Sequence, residues 1–217
     1  MDLIYECKNC KKTNIIKRKE EYDLTKNIDL VEKIYDDSLF EDECPTCKNK
    51  VVVPAESLFI DNDYKFILKL NLDNEIKVLM PSEDTIDYKL RIVNDLNELK
   101  EKMRIFYSFL DDNVVEIIKF LIKESIDEKY GLDLITFHKI TNGSLSFVLI
   151  SKSNEYLGII NYSLIGYNEI KDKIKFDPSV QYVDEKNAKK YIEEVKDLIN
   201  KITHKEKSKA NYDTLLF

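Results

Sequence analysis

Tryptophan is absent from this chain of 217 residues, and glycine and proline occur only four times each. Histidine is nearly as scarce, with His138 and His204 as its two occurrences. The sequence contains neither a glycine-rich phosphate loop nor a His-Glu-x-x-His helix, and no candidate nucleophile stands beside either histidine. We therefore expect no catalytic site, because an active site would have to be assembled from residues distant in sequence.

Long apolar segments are also missing. No stretch approaches the ~18 consecutive apolar residues of a membrane span. The first six residues lack the basic start and the apolar run of a secretory signal. We therefore expect a cytoplasmic protein with no membrane partner, in a compartment where cysteine thiols stay reduced.

Basic residues are outnumbered, since 34 Lys and Arg stand against 41 Asp and Glu and give a formal net charge of -7. A net acidic surface repels polyphosphate and disfavours a general nucleic-acid-binding role. Residues 7–19 are a local exception, because this segment contains no acidic residue. Its basic residues are Lys8, Lys11, Lys12, Lys17, Arg18 and Lys19. Residues 1–60 nevertheless hold 10 basic and 13 acidic residues, a balance of -3. We therefore expect these cations mainly to lie on the solvent-exposed outer face of the first cysteine motif.

The sequence does contain four cysteines, placed as two copies of one motif. Cys7 and Cys10 form one Cys-x-x-Cys pair, and Cys44 and Cys47 form the other. Two intervening residues allow one tight turn, here called a knuckle, to aim both sulfurs at a single point. Two knuckles together give the tetrahedron of thiolates that zinc prefers. The sequence predicts one structural Zn²⁺ ion with no open position for water or substrate.

Two other interpretations of the cysteines stay open. The motif Cys44-Pro45-Thr46-Cys47 is similar to a redox dithiol, although such a pair begins a helix, whereas residues 48–53 favour a turn into a strand. A redox pair would also leave Cys7 and Cys10 unexplained. The second alternative is that the cysteines are free buried residues.

The segments around the knuckles favour a β ribbon. Short β-favouring runs flank the first knuckle at 3–6 and 13–17, and the second at 39–42 and 51–53. Many knuckles carry glycine straight after the second cysteine, where the backbone turns left-handed, but Lys11 and Lys48 occupy that place here. We expect a slightly strained site, with Asn49 taking up part of the second turn. Residues 28–35 predict a short helix that packs against the ribbon.

The second knuckle also carries a family resemblance. Phe40 precedes it by a few acidic residues, and further segments follow it in a defined order: 58–61, 91–93, 97–102, 104–106 and 110–112. In these features the chain resembles the CpXC domain, a bacterial and archaeal zinc-ribbon family, over about residues 1–125. Lys8 stands where the first knuckle of the family often has proline. The resemblance implies a four-cysteine metal site and no agreed biochemical activity.

The middle of the chain predicts a small sheet followed by two helices. Residues 64–70, 76–80 and 88–93 favour strands. Helical spacing of apolar residues then runs from about residue 94 to 110, and again from residue 111 to 122. The second helix is apolar around much of its girth, which favours a place in the core over a contact with a partner. Asp111 and Asp112 suggest a metal or catalytic site, but we expect them to cap this helix.

The carboxyl-terminal part predicts a second α+β segment. Asn142-Gly143 favours a tight hairpin turn between strands at 134–140 and 145–150, and a third strand follows at 156–162. A short helix is expected within 164–174. A long helix begins at Asp184 and carries an apolar stripe, which contains Ala188, Tyr191, Ile192, Val195, Leu198, Ile199 and Ile202. The stripe favours docking on a sheet, and a coiled-coil or partner-binding face is the alternative.

These patterns predict an α+β protein with three parts: a CpXC-like zinc-ribbon domain at 1–125, an α+β domain at 130–205 and a tail at 206–217. The ribbon is expected to continue into a small β-sheet and two helices. The expected function is non-catalytic, with the zinc-bound chain acting as an interaction or regulatory module for another protein. The alternatives are a nucleic-acid-binding zinc ribbon and an inhibitor of a nucleic-acid enzyme.

Overall fold

A computed structural model describes residues 1–73, 78–80, 82–126 and 130–194. The fold is α+β, which confirms the predicted class. Its strands are β1 (Asp2–Glu6), β2 (Thr13–Lys17), β3 (Glu21–Asp23), β4 (Glu41–Glu43), β5 (Lys50–Val52), β6 (Ser57–Asp61), β7 (Phe66–Leu70), β8 (Lys89–Val93), β9 (Leu132–Thr141), β10 (Ser144–Ser151) and β11 (Tyr156–Ser163). Its helices are α1 (Ile28–Tyr35), α2 (Leu96–Tyr107), α3 (Asp112–Ser125), α4 (Leu164–Lys171) and α5 (Glu185–Glu194).

The chain divides into two compact units. The first contains Met1–Met103 and Pro178–Tyr182 and therefore carries all four cysteines. The second contains Arg104–Asp177 and, among the described residues, 183–194. The division falls inside α2. The sequence predicts two domains that meet between residues 125 and 130, and this boundary stays a prediction.

The first unit contains two antiparallel hairpins and a four-stranded sheet. Strands β1 and β2 form one hairpin and β4 and β5 the other, and one knuckle connects the strands of each. We call these two hairpins with their knuckles the ribbon. The four-stranded sheet has the order β3-β6-β7-β8, in which β6 and β7 are antiparallel and both outer pairs are parallel.

Aromatic side chains form part of the core of the first unit. Tyr22 of β3 stacks on Phe59 of β6 with ring centroids 5.1 Å apart. Phe40, at the start of the second hairpin, meets the ring of Phe59 edge-on at 6.4 Å. The predicted helix at 28–35 is α1, which buries Ile34 fully but leaves Ile28 largely exposed. These contacts hold β3, β6 and the base of the second hairpin together.

The edge of β8 is covered by residues 178–182, which return from the carboxyl-terminal part of the chain. The Ile92 N–H donates to the main-chain oxygen of Gln181 over 2.8 Å, and Arg91 Nη1 donates to the Val180 oxygen over 2.9 Å. The Gln181 side chain accepts from the Leu79 N–H at 2.7 Å and donates to the Leu79 oxygen at 2.5 Å. Of the predicted strand at 76–80, residues 76 and 77 lie outside the described residues and 78–80 are not in a strand. The Leu79 main chain is hydrogen-bonded to a side chain instead.

The second unit contains a three-stranded antiparallel sheet with the order β11-β10-β9. The predicted hairpin turn is confirmed, since Asn142 and Gly143 have φ angles of 50° and 73°. Phe137 and Phe147 meet edge-on in the core at 5.9 Å. Helix α3 packs against β9, α4 and α5 and is buried along Val114, Val115, Ile117 and Ile118, which confirms its predicted place in the core.

Helix α5 begins where the sequence predicts, and Asp184 Oδ1 accepts from the Asn187 N–H over 2.9 Å. The later positions of its predicted apolar stripe, Val195, Leu198, Ile199 and Ile202, and the predicted tail at 206–217 lie outside the described residues. Among the helices of the described residues, none has the length and apolar character needed to cross a bilayer.

Candidate metal centre

The two knuckles have the same backbone geometry. In the first, the Lys11 N–H donates to the Cys7 oxygen over 2.8 Å and the Cys7 N–H donates to the Lys12 oxygen over 3.0 Å. In the second, the Lys48 N–H donates to the Cys44 oxygen and the Cys44 N–H to the Asn49 oxygen, both over 2.9 Å. Each turn is therefore closed by two main-chain hydrogen bonds, which hold the two cysteines of the pair in a fixed relation.

Both knuckles pass through the left-handed region at the residue after the second cysteine. The φ angle is 57° at Lys11 and 63° at Lys48. The expected strain is therefore located at these two lysines, since side chains with a Cβ are disfavoured there. Asn49 does not share the positive φ angle.

The fold brings the four cysteine sulfurs together. All four Sγ atoms lie within 4.8 Å of one another. Cys7 Sγ is 3.8 Å from Cys47 Sγ, and Cys10 Sγ is 3.8 Å from Cys44 Sγ. All four thiols are free, with Cys7 and Cys44 buried and Cys10 and Cys47 half-buried. Within the described residues this is the one cluster of three or more Cys, His, Asp or Glu side chains that could hold a metal ion.

The sulfur spacing fits a tetrahedral metal ion. A metal–sulfur bond of about 2.3 Å, as in zinc tetrathiolates, places the corners of a regular tetrahedron roughly 3.8 Å apart. The two Sγ–Sγ distances between the knuckles agree with that edge length. The four cysteines are therefore compatible with metal binding through sulfur alone.

The environments of the four thiols differ. The backbone N–H of Cys47 donates to the Cys44 sulfur and, against the effect of burial, lowers the pKa of Cys44 to about 6. The amide of Asn9, followed by the Asn49 N–H, lowers the pKa of Cys47. At Cys10 a hydrogen bond from the Lys12 backbone lowers the pKa of the thiol. Burial and the neighbouring thiols outweigh it and raise the pKa of Cys10 to about 11. Because metal ligation requires thiolates, metal binding releases thiol protons and becomes stronger as the pH rises.

The surroundings of the second knuckle do not match a redox dithiol. Cys47 is followed by a turn and then by strand β5, whereas a dithiol of that type begins a helix. The 3.8 Å sulfur contacts pair each cysteine of one knuckle with a cysteine of the other. The geometry therefore favours a shared centre over a separate dithiol in either knuckle.

The other residues that the sequence singled out lie elsewhere. Asp111 is the N-cap of α3, where its Oδ1 accepts from the Asn113 N–H over 3.0 Å, so the predicted capping is confirmed for Asp111. Asp112 is the first residue of that helix and is fully buried. His138 lies exposed on β9, and His204 is outside the described residues.

Sequence reasoning missed the polar side chains that surround the sulfurs. Asn9 Nδ2 lies 3.5 Å from Cys47 Sγ, and Asn14 Nδ2 lies 3.6 Å from Cys44 Sγ. Thr46, inside the second knuckle, donates from Oγ1 to Asn14 Oδ1 over 3.2 Å. The sequence does place Asn9 and Thr46 between the cysteines of a pair. That position gives no indication that their side chains contact the other hairpin.

Comparisons with known proteins agree with this centre. A family model described as CpXC protein matches residues 5–119, which is more than half of the chain and includes both knuckles. No curated protein and no solved structure gives a significant match to the chain. The extent of the family match, together with the paired knuckles, establishes that the chain belongs to the CpXC family.

Proposed function

We propose that this protein is a non-catalytic zinc protein whose metal-braced ribbon docks onto another protein. The metal assignment is supported by the four-sulfur donor set, because thiolate ligands in a tetrahedron select Zn²⁺ or iron over hard cations. With four protein ligands the ion keeps no position for a substrate, so its role is structural.

The observation that carries the docking role is an exposed pair of isoleucines on the ribbon. Ile4 of β1 and Ile15 of β2 are direct cross-strand partners. Their side chains are 75% and 66% exposed. Covering such a side chain stabilises a complex by up to about 1.5–3 kcal/mol, so this pair provides an apolar contact on a rigid support.

The polar neighbours of the pair indicate the chemistry of the partner. In the hairpin register Asp2 lies opposite Lys17 on one side of the isoleucines, and Glu6 lies opposite Thr13 on the other. We expect the partner to present an apolar side chain flanked by polar groups of both signs, because apolar interface centres are commonly surrounded by a polar rim.

The metal part is tested by measuring the metal content of protein purified from its native host. We expect one zinc ion per chain and none in the C44S/C47S variant. Iron in place of zinc, or no bound metal in the wild-type protein, would contradict the assignment.

The docking part is tested by comparing captured proteins between matched variants. The I4E/I15E variant places charges on the ribbon face, whereas I28E places one at an isoleucine of α1 that is 71% exposed. We expect a host protein that is captured by the wild type and by I28E but lost with I4E/I15E. Equal capture by all three proteins would exclude this face as the docking surface.

A second candidate, nucleic-acid binding, is favoured by the exposed side chains of Lys8, Lys11 and Lys12 on the first knuckle. Phosphate contacts make such binding strongly salt-dependent. Gel shifts with single- and double-stranded probes would support this role if binding weakened with added salt and with K8E/K12E. Binding that both variant and salt leave unchanged would count against it.

A further inference from the structure

Two asparagine side chains cross from one knuckle to the other. Asn9 lies between the cysteines of the first knuckle, and its Nδ2 is 3.5 Å from Cys47 Sγ in the second. Asn14 is on β2, directly beyond the first knuckle, and its Nδ2 is 3.6 Å from Cys44 Sγ. Both donors therefore belong to the first hairpin and both sulfur acceptors to the second.

The Asn14 amide has a defined orientation. Its Oδ1 accepts from Thr46 Oγ1 over 3.2 Å, and its Nδ2 also donates to the Lys12 oxygen over 3.0 Å. Because the Lys12 oxygen can only accept, the amide atom beside it must be the nitrogen, and the same nitrogen lies beside the Cys44 sulfur. Asn14 is half-buried, so water competes only partly for these contacts.

The chemistry of a four-cysteine centre gives these amides a role. Four thiolates around a divalent ion leave two net negative charges, which Lys8, Lys11 and Lys12 compensate only from exposed positions. An N–H donor pointing at a thiolate stabilises its charge directly, and groups that hydrogen-bond metal ligands tune affinity and orientation.

We infer that Asn9 and Asn14 are positioning residues of the metal centre, and that their N–H···S hydrogen bonds link metal binding to closure of the two knuckles. When the thiolates of the second knuckle ligate an ion, the amides of the first hairpin stabilise them. Neither asparagine is a ligand. The inference rests on the proposed metal site and adds the groups that set its affinity.

Cobalt(II) provides the test, because its sulfur-to-metal charge-transfer band reports directly on the thiolates. Apo protein is titrated with Co²⁺ as wild type, N9A, N14A and N14D, and zinc affinity is then measured by competition with a chromophoric chelator. N14D keeps an oxygen for Thr46 but removes the donor to Cys44. Losing one donor raises the energy of the sulfur electrons, so the band of each variant should move to longer wavelength.

We expect zinc affinity to fall by roughly 10–100-fold in each variant, the range typical of groups that support metal ligands. The control is N97A. Asn97 lies on α2, outside both knuckles, and its side chain is exposed. N97A should bind both metals as the wild type does.

The outcomes distinguish a failure of the metal site from a failure of the role of the two asparagines. If the wild type gives no cobalt thiolate spectrum, the metal site itself is wrong. If the wild type binds cobalt and N9A and N14D keep its band position and zinc affinity, the role of the asparagines is overturned. Should N14A fail to fold, N9A still decides, because Asn9 is exposed and contributes no buried packing.

Discussion

Arg18 and Asp42 form an ion pair that joins the two hairpins of the ribbon, with 2.5 Å between Arg18 Nη2 and Asp42 Oδ2. The guanidinium also donates to the main-chain oxygens of Phe40 at 2.8 Å and Val53 at 3.1 Å. Val53 in turn donates from its N–H to the Phe40 oxygen over 2.8 Å. Arg18 therefore fixes the end of β2 to the base of the second hairpin.

Replacing Arg18 by lysine should destabilise the first unit although it keeps the charge. The Arg18 side chain is only 7% exposed, and an ammonium cannot reproduce its forked set of donors. We expect a loss of about 2–3 kcal/mol, because hydrogen bonds to charged groups contribute about 1.5–3 kcal/mol each and Asp42 remains partly solvated. Urea unfolding of the metal-loaded protein measures the difference. The control K17R, at the exposed neighbouring position, should leave the midpoint unchanged.

Removing the metal should unfold the ribbon. None of the strand residues of its two hairpins is buried. Metal binding in small zinc domains supplies about 10–16 kcal/mol of folding free energy. We expect a chelator, or the C44S/C47S substitution, to abolish hydrogen-exchange protection of amides in β1, β2, β4 and β5. Adding zinc back should restore protection in the chelated wild type and not in the variant. Hairpins that stay protected without metal would contradict a folding role for the ion.

Glycine at Lys11 or Lys48 should stabilise the metal-loaded protein. Both residues have positive φ angles, at which an L side chain costs roughly 1–2 kcal/mol and glycine costs nothing. After subtracting the larger entropy of glycine in the unfolded chain, we expect a gain of about 0.5–1 kcal/mol for each substitution. Thermal unfolding tests this, with K12G as the control. Lys12 lies in the same stretch without a positive φ angle, so K12G should be neutral or destabilising.

The second unit should lose stability in alkali through Tyr167. Burial raises the pKa of Tyr167 to about 12 from its ordinary value of 10.0. A raised pKa means that the folded unit favours the neutral phenol. This contribution is complete below pH 10 and is lost as the pH rises from 10 through about 12.

The Y167F variant should therefore show a weaker fall in unfolding free energy between pH 10 and 12 than the wild type. At neutral pH it should be less stable by about 1 kcal/mol, because the Asp111 N–H, which donates to the Tyr167 oxygen over 2.6 Å, loses its acceptor. Urea unfolding across this pH range measures both effects. Y156F, at a largely exposed tyrosine, should follow the wild-type curve.

The parts that could be predicted from the sequence are those set by local chemistry. The repeated cysteine spacing predicts one centre, and the turn geometry required after each second cysteine locates the strain at Lys11 and Lys48. Asn142-Gly143 predicts the hairpin because its positive φ angles are a local requirement. In the same way, Asp111 caps α3 through a main-chain contact two residues away.

The parts that could not be predicted depend on contacts between distant segments. The amide of Asn14 reaches Cys44, and Arg18 reaches Asp42, across spacings that no periodicity encodes. Leu79 lies in a run that favours a strand, but its main-chain groups are hydrogen-bonded to the side chain of Gln181. Such pairings are decided by the assembled fold and leave no pattern in the neighbouring residues.

The return of residues 178–182 to the edge of β8 has a consequence for dissecting this protein. The family match ends at residue 119, so a fragment designed from it alone would stop before this segment. In such a fragment the Ile92 N–H would lose its acceptor and the edge of β8 would be exposed. Exposed strand edges are surfaces through which chains aggregate. A fragment that contains only the cysteine-bearing unit must therefore include residues 178–182, joined to it through a linker.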